Sequence, residues 1–169
     1  MIKTVEWTAE GVRMIDQRLL PGRLEFLDAT TVDELCEAIR TLAVRGAPAL
    51  GVAGAMGMAL AEVTGERADD AAARIVEVVN ANMCDALRIV SIERGHDPRE
   101  FSLMAFGGAG PVHAAFLAEE LAVPEVVVPP APGAFSALGL VATDLRRDFS
   151  RIETVLSTRM KTPATAEAK

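Results

Sequence analysis

The sequence predicts an α/β protein, in which short strands alternate with helices. Short apolar runs such as 102–106 and 125–128 lie beside longer segments whose apolar residues recur at helical spacing. Turns that contain glycine or proline separate these runs from the helices. Half of the 169 residues are hydrophobic and 24% are charged, which is the balance of a folded globular protein rather than a disordered one.

The first predicted elements are two or three short strands within 3–29, with a turn at 21–22. Thr31 and Glu34 have the spacing of a capping box, so we expect a helix to begin there and to stop near Gly46. The residues expected on its apolar face are Leu35, Ala38, Ile39 and Leu42.

A second helix is predicted from Pro48 to about Val63, because proline is favoured in the first turn of a helix. The stretch 47–61 carries no charge, but we expect it to be too short to cross a bilayer. The start of the chain lacks the basic and then apolar pattern of a secretory signal. We therefore expect no membrane contact and a cytoplasmic location.

A polar break at 64–68 separates two apolar helical patterns. The helix after it is expected to run for about 25 residues and to end at Gly95. The residues expected on its apolar face are Ile75, Val79, Met83, Ala86 and Val90. The elements predicted next are a buried strand at 102–106, a helix at 111–121, a strand at 125–128, a helix at 134–144, a strand at 148–155 and a mobile tail at 156–169.

Three glycines in four positions form the junction between the 102–106 strand and the helix after it. We call this segment, 107–110, the glycine turn. Such a turn presents backbone N–H groups at the positive end of a helix, where phosphate or ribose can bind. Close packing between a strand and a helix would also require glycine. The glycines alone do not distinguish these two interpretations.

The motifs after residue 69 resemble the hydantoinase A / 5-oxoprolinase family of ATP-dependent enzymes that open cyclic amides. They occur in order at 80–83, 88–99, the glycine turn and 126–139. The resemblance covers about 69–152 and implies part of an actin-like ATPase lobe, with ATP and Mg²⁺ as cofactors. It implies that the nucleoside part of ATP contacts Gly107, Gly108, Ala109 and Gly110, and we include His113 in this cofactor site because it follows the turn directly. His113 lies in the first turn of its helix, where it faces a ligand or packs on the loop backbone.

Residues 1–63 resemble a different family, the methylthioribose-1-phosphate isomerases, aldose–ketose isomerases of methionine salvage. The segment 44–49, Val-Arg-Gly-Ala-Pro-Ala, carries most of this resemblance. It implies that a sugar phosphate is held by Arg45, Gly46 and Ala47, through a guanidinium group and the first N–H groups of a helix. The alternative is that Arg45 caps the carbonyl groups of the preceding helix.

The chain therefore resembles a join of two fragments, an isomerase-like segment at 1–63 and a hydantoinase-like segment at 69–155. Because such fragments did not evolve together, we expect apolar faces of both to stay partly uncovered and to favour self-association. We also expect the link at 64–68 to be loose and to be cleaved first by protease, near Gly65.

Neither resemblance supplies a complete active site, and no catalytic residue or metal ligand is assigned. The phosphate loops and Mg²⁺ carboxylates of the amidohydrolases, and the catalytic cysteine and aspartate of the isomerases, are expected in segments that this chain does not match. The main interpretation is an incomplete and inactive hydantoinase/5-oxoprolinase relative. The alternatives are an isomerase fragment and a non-enzymatic gene-fusion remnant, so whether the chain is an enzyme stays open.

The composition also limits the partners. A net charge of −7, no tyrosine and a single tryptophan argue against a nucleic-acid partner. The partners expected are a small-molecule ligand and either a hydantoinase B-type subunit or a second copy. Cys36 and Cys84 fall on predicted helices without pairing or metal-site spacing, so we expect reduced core thiols. Asn80 and Asn82 are expected on opposite sides of one helix, so they cannot face the same ligand.

Overall fold

The computed structural model describes residues 3–143. Contacts divide the chain into one unit that ends at Ser136 and another that begins at Ala137. The strands are β1 (Val5–Trp7), β2 (Val12–Ile15), β3 (Phe26–Ala29), β4 (Ser102–Met104) and β5 (Glu125–Val127). The helices are α1 (Val32–Arg40), α2 (Ala47–Thr64), α3 (Ala68–Val90), α4 (Gly110–Glu120) and α5 (Phe135–Ala142). This mixture of helices and strands confirms the α/β class.

The first three strands form an antiparallel sheet in the order β1-β2-β3, which confirms the strands predicted within 3–29. Met14 pairs with Val5 on one side and with Leu27 on the other. Alternate residues of β2 point to opposite faces of the sheet, so Val12 and Met14 are buried. Arg13, between them, forms an ion pair with Asp28 at 2.7 Å.

Helix α1 begins at the predicted capping box. Thr31 Oγ1 accepts a hydrogen bond from the Glu34 N–H, and the Glu34 carboxylate accepts one from the Thr31 N–H. The predicted end near Gly46 is wrong, because α1 ends at Arg40. Leu42 turns the chain out of the helix with a φ of +58° and is 51% exposed, so it does not belong to the buried face.

Helix α2 has nearly the predicted bounds. It follows Gly46, whose φ is +90°, and ends at Gly65 in the left-handed conformation. Its 18 residues are long and apolar enough to cross a membrane, judged by length and composition alone, which corrects the expectation that the stretch is too short. A core helix can pass the same test. Ala53, Gly57 and Leu60 of α2 are buried in the core.

The main core contains residues from both sides of the break at 64–68. Its members include Val12, Met14, Leu35, Ile39, Leu60 and Ile75. The expectation that the apolar faces of α1 and α3 stay uncovered is therefore wrong for Leu35, Ile39 and Ile75, which are buried. These faces cover each other, because both helices pack against α2 and against one another.

Polar contacts join the same two segments. Arg74 of α3 forms ion pairs with Asp33 of α1, at 2.6 Å, and with Glu66 in the break. The side-chain amide of Asn82 donates a hydrogen bond of 2.8 Å to the carbonyl oxygen of Ile39. The first half of α3 is thus fixed on α1 by both apolar and polar contacts.

Helix α3 ends at Val90 rather than at Gly95, and a 3₁₀ turn occupies Ile92–Arg94. Val90 is exposed, so it is not part of the buried face predicted for this helix. Ser91 marks the end, because its hydroxyl donates a hydrogen bond to the Leu87 carbonyl oxygen at 2.6 Å. Gly95, with a φ of +82°, then ends the 3₁₀ turn.

Strands β4 and β5 are parallel and are connected through α4. The prediction of a buried strand at 102–106 is wrong, because Ser102, Met104 and Phe106 are exposed. Leu103 packs against the cluster formed with Cys84 of α3 and with α4, and Ala105 is buried. A sheet of two strands that is covered on one face leaves every second side chain in solvent.

The predictions for α4, β5 and α5 are confirmed to within two or three residues, as far as position 143. Leu138, Leu140 and Val141 of α5 are exposed. Position 144, the strand predicted at 148–155 and the tail predicted at 156–169 lie outside the described residues.

Candidate functional site

The glycine turn is held at both ends by backbone hydrogen bonds. The Ala105 N–H donates to the Val127 carbonyl oxygen at 2.9 Å, which extends the β4–β5 pairing by one residue. The Gly107 N–H donates to the Pro132 carbonyl oxygen at 2.8 Å. Gly107 has a φ of +89°, a backbone conformation that residues other than glycine rarely adopt. The backbone therefore requires glycine at this position.

Gly108 has no such backbone requirement. Its φ is not positive, and a Cβ atom added to it would meet no heavy atom within 4 Å. At Gly110, the nearest atom to an added Cβ is the Ala105 carbonyl carbon, at an ordinary 3.9 Å. Packing within the protein therefore does not explain the absence of a side chain at Gly108, and the space beside it is open to a ligand.

The first turn of α4 offers free donors beside this space. Ala109 precedes the helix without a side-chain cap, and Pro111 follows at the start of the helix. Among residues 3–143, the N–H groups of Gly108, Ala109 and Gly110 have no hydrogen-bond partner. Unpaired N–H groups and the helix dipole together favour an electron-rich oxygen or nitrogen atom of a ligand.

His113, one turn into α4, contacts α3. Its Nδ1 atom lies 2.7 Å from Oδ1 of Asn80. Asn82 points elsewhere, toward the Ile39 carbonyl oxygen, which confirms that the two asparagines face different surroundings. Asn80 is a site residue that the sequence did not identify, because the contact joins positions 33 residues apart.

The two helices run parallel where they meet. After the contact between Asn80 and His113, Cys84 packs against Leu117, and Arg88 pairs with Glu120 at 2.7 Å. From one contact to the next, the residue numbers rise on both helices, so the two helices run in the same direction. The start of α4 therefore lies beside the middle of α3.

Two of the cavities that border these helices lie near the residues just described. An apolar cavity of about 430 Å³ lies beside the glycine turn, and its lining includes Met83, Leu87, Leu103, Phe106, Gly110 and Leu117. A groove of about 790 Å³ runs along α3 and α4, and its lining includes Val76, Asn80, Cys84, Arg88 and Phe116. Both volumes lie within the range of small-molecule sites in proteins.

The second candidate segment, Arg45, Gly46 and Ala47, lies at the start of α2. All three residues are exposed, and the Arg45 carbonyl oxygen accepts a hydrogen bond from the Gln17 side chain at 3.2 Å. Within the described part of the chain, the Arg45 guanidinium makes no hydrogen bond or ion pair. It therefore does not cap the carbonyl groups of α1, and the two candidate segments lie at the N-termini of different helices.

The other polar residues singled out do not extend either segment. His96 packs edge-on against Phe101, with ring centroids 5.8 Å apart. Cys36 and Cys84 are buried free thiols, as predicted, and burial raises the pKa of both. Residues 3–143 hold no group of three or more His, Cys, Asp or Glu side chains that could bind a metal ion.

Known proteins resemble the two parts of the chain separately. An uncharacterised protein of Methanocaldococcus jannaschii is 49% identical over 54% of the chain and 14% of its own length. The caprolactamase subunit alpha of Pseudomonas jessenii is 40% identical over 53% of the chain and 13% of its own length. The methylthioribose-1-phosphate isomerase of Roseiflexus castenholzii is 56% identical over 35% of the chain and 17% of its own length. The chain thus spans less than a fifth of each of these relatives.

The isomerase match is 59 residues long, close to the segment 1–63 whose motifs resemble that family. The family model described as Hydantoinase/oxoprolinase matches residues 50–149. This match contains the glycine turn, His113 and Asn80, and it begins within α2, ahead of the break at 64–68. Because it covers more than half of the chain, the chain belongs to the hydantoinase/oxoprolinase family.

Proposed function

We propose that the glycine turn and His113 bind the nucleoside part of ATP, and that this segment serves the ATP-dependent opening of a cyclic amide. The observation that carries the proposal is the open space beside Gly108, next to the unpaired N–H groups of Gly108, Ala109 and Gly110. Family membership supports it, because the resemblance implies a nucleoside contact at these residues.

The glycine turn and the apolar cavity beside it fit a nucleoside. The three N–H groups supply donors for ribose or ring atoms, and the apolar cavity of about 430 Å³ beside them has room for a purine base. When bound, ATP would supply a phosphoryl group that activates the amide carbonyl of the ring. The protein residues named here bind and orient the nucleotide, and no chemical step is assigned to them.

The described residues offer no dedicated cage of protein ligands for Mg²⁺. A magnesium ion on a nucleotide requires carboxylate or other oxygen ligands. Residues 3–143 contain no cluster of three or more side chains of the metal-binding types. We therefore derive no step through a metal ion from this segment.

Equilibrium binding tests the nucleotide proposal. Titration calorimetry with ATP and with adenosine should give weak binding, with a Kd of the order of 0.1–1 mM. The Gly108→Val variant should lose it, because the valine side chain fills the open space without disturbing the fold. Gly51→Val is the matched control, since Gly51 in α2 is equally open and its φ is not positive. Binding that survives Gly108→Val unchanged would contradict the proposal.

We expect no turnover from these 169 residues alone, because they span 13% to 14% of the relatives that share this segment. Incubation with ATP and either 5-oxoproline or hydantoin should give no ring opening above background. Turnover that Gly108→Val abolishes would show that the segment is catalytically complete.

A partner chain belongs to the same proposal. One relative is named as the alpha subunit of caprolactamase, which indicates an enzyme with more than one kind of subunit. We propose that this chain binds a hydantoinase B-type subunit or a second copy of itself, in the cytoplasm. Light scattering of the chain alone and mixed with such a subunit distinguishes the two partners, and a monomer in both samples would contradict the proposal.

A second candidate function rests on the start of α2. The free Arg45 guanidinium and the first N–H groups of α2 could hold a sugar phosphate, as the isomerase resemblance implies. Methylthioribose-1-phosphate should then bind, and Arg45→Ala should weaken this binding. No ketose phosphate should form, because the segment supplies no positioned acid and base. Formation of the ketose would refute this expectation, and a chain that binds neither ligand would match the non-enzymatic alternative.

A further inference from the structure

The contact between His113 and Asn80 determines where the imidazole carries its proton. The atom of Asn80 that faces His113 is Oδ1, at 2.7 Å from Nδ1. An amide oxygen only accepts hydrogen bonds, so Nδ1 must donate. In the neutral ring the proton is then on Nδ1, and Nε2 has a free lone pair.

The other ring nitrogen is available to a ligand. Within residues 3–143, Nε2 of His113 has no hydrogen-bond partner. The same part of the chain contains no buried side-chain nitrogen or oxygen that lacks a partner. Because His113 is half-buried, it follows that Nε2 reaches solvent.

The position of Asn80 is fixed by its helix. Before Asn80 in α3, Ile75 and Val78 are buried in the main core. After Asn80, Cys84 packs against Leu117 of α4. Arg88 then joins α3 to α4 through Glu120. The amide oxygen of Asn80 is therefore presented to His113 by a helix that is held at both of its ends.

We propose that Asn80 is a positioning residue that holds His113 with its Nε2 lone pair toward the ligand, so that this histidine accepts a hydrogen bond from a ribose hydroxyl or an amino group. This inference rests on the proposed function and names which part of the nucleotide the histidine recognises. A neutral imidazole in this tautomer has no donor at Nε2 for a phosphate oxygen. In this neutral form His113 favours a nucleoside over a free phosphate group.

Nitrogen NMR of the full chain, labelled with ¹⁵N in its histidines, tests the tautomer directly. The chain has two histidines, so His96 serves as the reference in the same spectrum. At a pH where the spectrum shows neutral imidazoles, His113 should carry its proton on Nδ1. Asn80→Leu, of similar size but without an acceptor, should move that proton to Nε2 in part or fully. Asn80→Asp, which keeps an oxygen acceptor, should leave it on Nδ1.

Ligands added to the same sample test the recognition. Adenosine should shift the Nε2 resonance of His113, and inorganic phosphate at the same concentration should not. Asn80→Leu should weaken adenosine binding by about three- to tenfold, the effect of one misplaced hydrogen bond. A proton on Nε2 in the unmodified protein, or no change in Asn80→Leu, would overturn the proposal.

The two proposals fail in different ways. If adenosine binds without moving the Nε2 resonance, the role of His113 is overturned while nucleotide binding stands. If the proton is on Nδ1 but neither adenosine nor ATP binds, the proposed function is overturned together with the ligand assigned to His113. A shift caused by phosphate alone would overturn the selectivity for a nucleoside.

Discussion

Gly107 and Gly108 are neighbours in the glycine turn, but they lack side chains for different reasons. Gly107 adopts a φ of +89° and donates to the Pro132 carbonyl oxygen, so the backbone explains it. Gly108 has neither a positive φ nor a close neighbour, so neither the backbone conformation nor packing explains its missing side chain. The sequence could predict the turn, but it could not separate these two roles, because the space around a residue depends on distant segments.

The same limit applies to His113. Its place in the first turn of a helix was predictable from Pro111 and the glycines before it. Its partner Asn80 was not, because the periodicity of α3 gives the direction of a side chain and not the identity of the helix that packs against it.

At the residue scale we predict how Asp97 responds to acid. Hydrogen bonds from the side chain and the backbone N–H of Arg99 lower the pKa of Asp97 from 3.8 to about 2. A carboxylate whose pKa is lower in the folded protein stabilises it above pH 3.8, and this contribution is lost as the pH falls toward 2. Thermal unfolding between these pH values should therefore depend less on pH in Asp97→Asn than in the unmodified protein.

Arg99→Ala supplies the control for this prediction. Without the guanidinium, the pKa of Asp97 should rise toward its ordinary value, and carbon NMR of the carboxyl group measures it. A pKa of about 2 that persists in Arg99→Ala would show that Arg99 is not the cause.

Among the elements, helix starts were more predictable than helix ends and strand burial. The capping box places the start of α1 correctly, because it is made by residues three positions apart. The end of α1 depends on the left-handed conformation of Leu42, which nothing in an apolar leucine predicts. The exposure of Met104 and Phe106 depends on how many strands and helices meet β4, which is not a local property.

At the element scale we predict that Gly57→Val destabilises the protein by about 1–3 kcal/mol, the usual cost of overpacking a core. At Gly57 of α2, side chains of both α1 and α3 lie close to the helix. A Cβ atom there would lie 2.6 Å from Cδ2 of Leu35 and 2.8 Å from Cδ1 of Ile75. Urea unfolding measures the effect as a lower midpoint with an unchanged slope.

Gly51→Val is again the matched control, because it puts the same side chain on the open side of the same helix. Its free energy of unfolding should stay within about 0.5 kcal/mol of the unmodified protein. Equal stability of the two variants would contradict the packing of α1 and α3 on α2.

For the molecule as a whole, the sequence predicted the two origins of the chain but not the way in which they fold together. Motifs reveal ancestry because each is formed by residues close together in the sequence. A caprolactamase subunit and methylthioribose-1-phosphate isomerases both match the chain. The core shared by Leu35, Ile39 and Ile75 depends on contacts between the two segments, which neither family's motifs contain. We retain the division into 1–63, 69–155 and 156–169 as a proposal about origin.

At this scale we predict that the segments on either side of the break unfold together. The expectation of a loose link at 64–68 rested on partly uncovered apolar faces, and the shared core buries Leu35, Ile39 and Ile75 of those faces. Trp7, the single tryptophan, reports on the first sheet by fluorescence, while circular dichroism reports mainly on the helices. The two urea transitions should coincide. Separate transitions, or rapid tryptic cleavage after Arg67 in the native protein, would instead support two loosely joined fragments.

The most direct test of the nucleotide site locates a photoreactive ATP analogue, activated at its adenine ring, after cross-linking and trypsin digestion. Cleavage after Arg99 and Arg146 isolates the peptide 100–146 with the glycine turn and His113, while the peptide 46–67 contains the start of α2. Label that excess adenosine displaces should appear on 100–146, should disappear in Gly108→Val and should persist in Gly51→Val. Label on 46–67, or equal labelling of the two variants, would contradict a nucleoside site at the glycine turn.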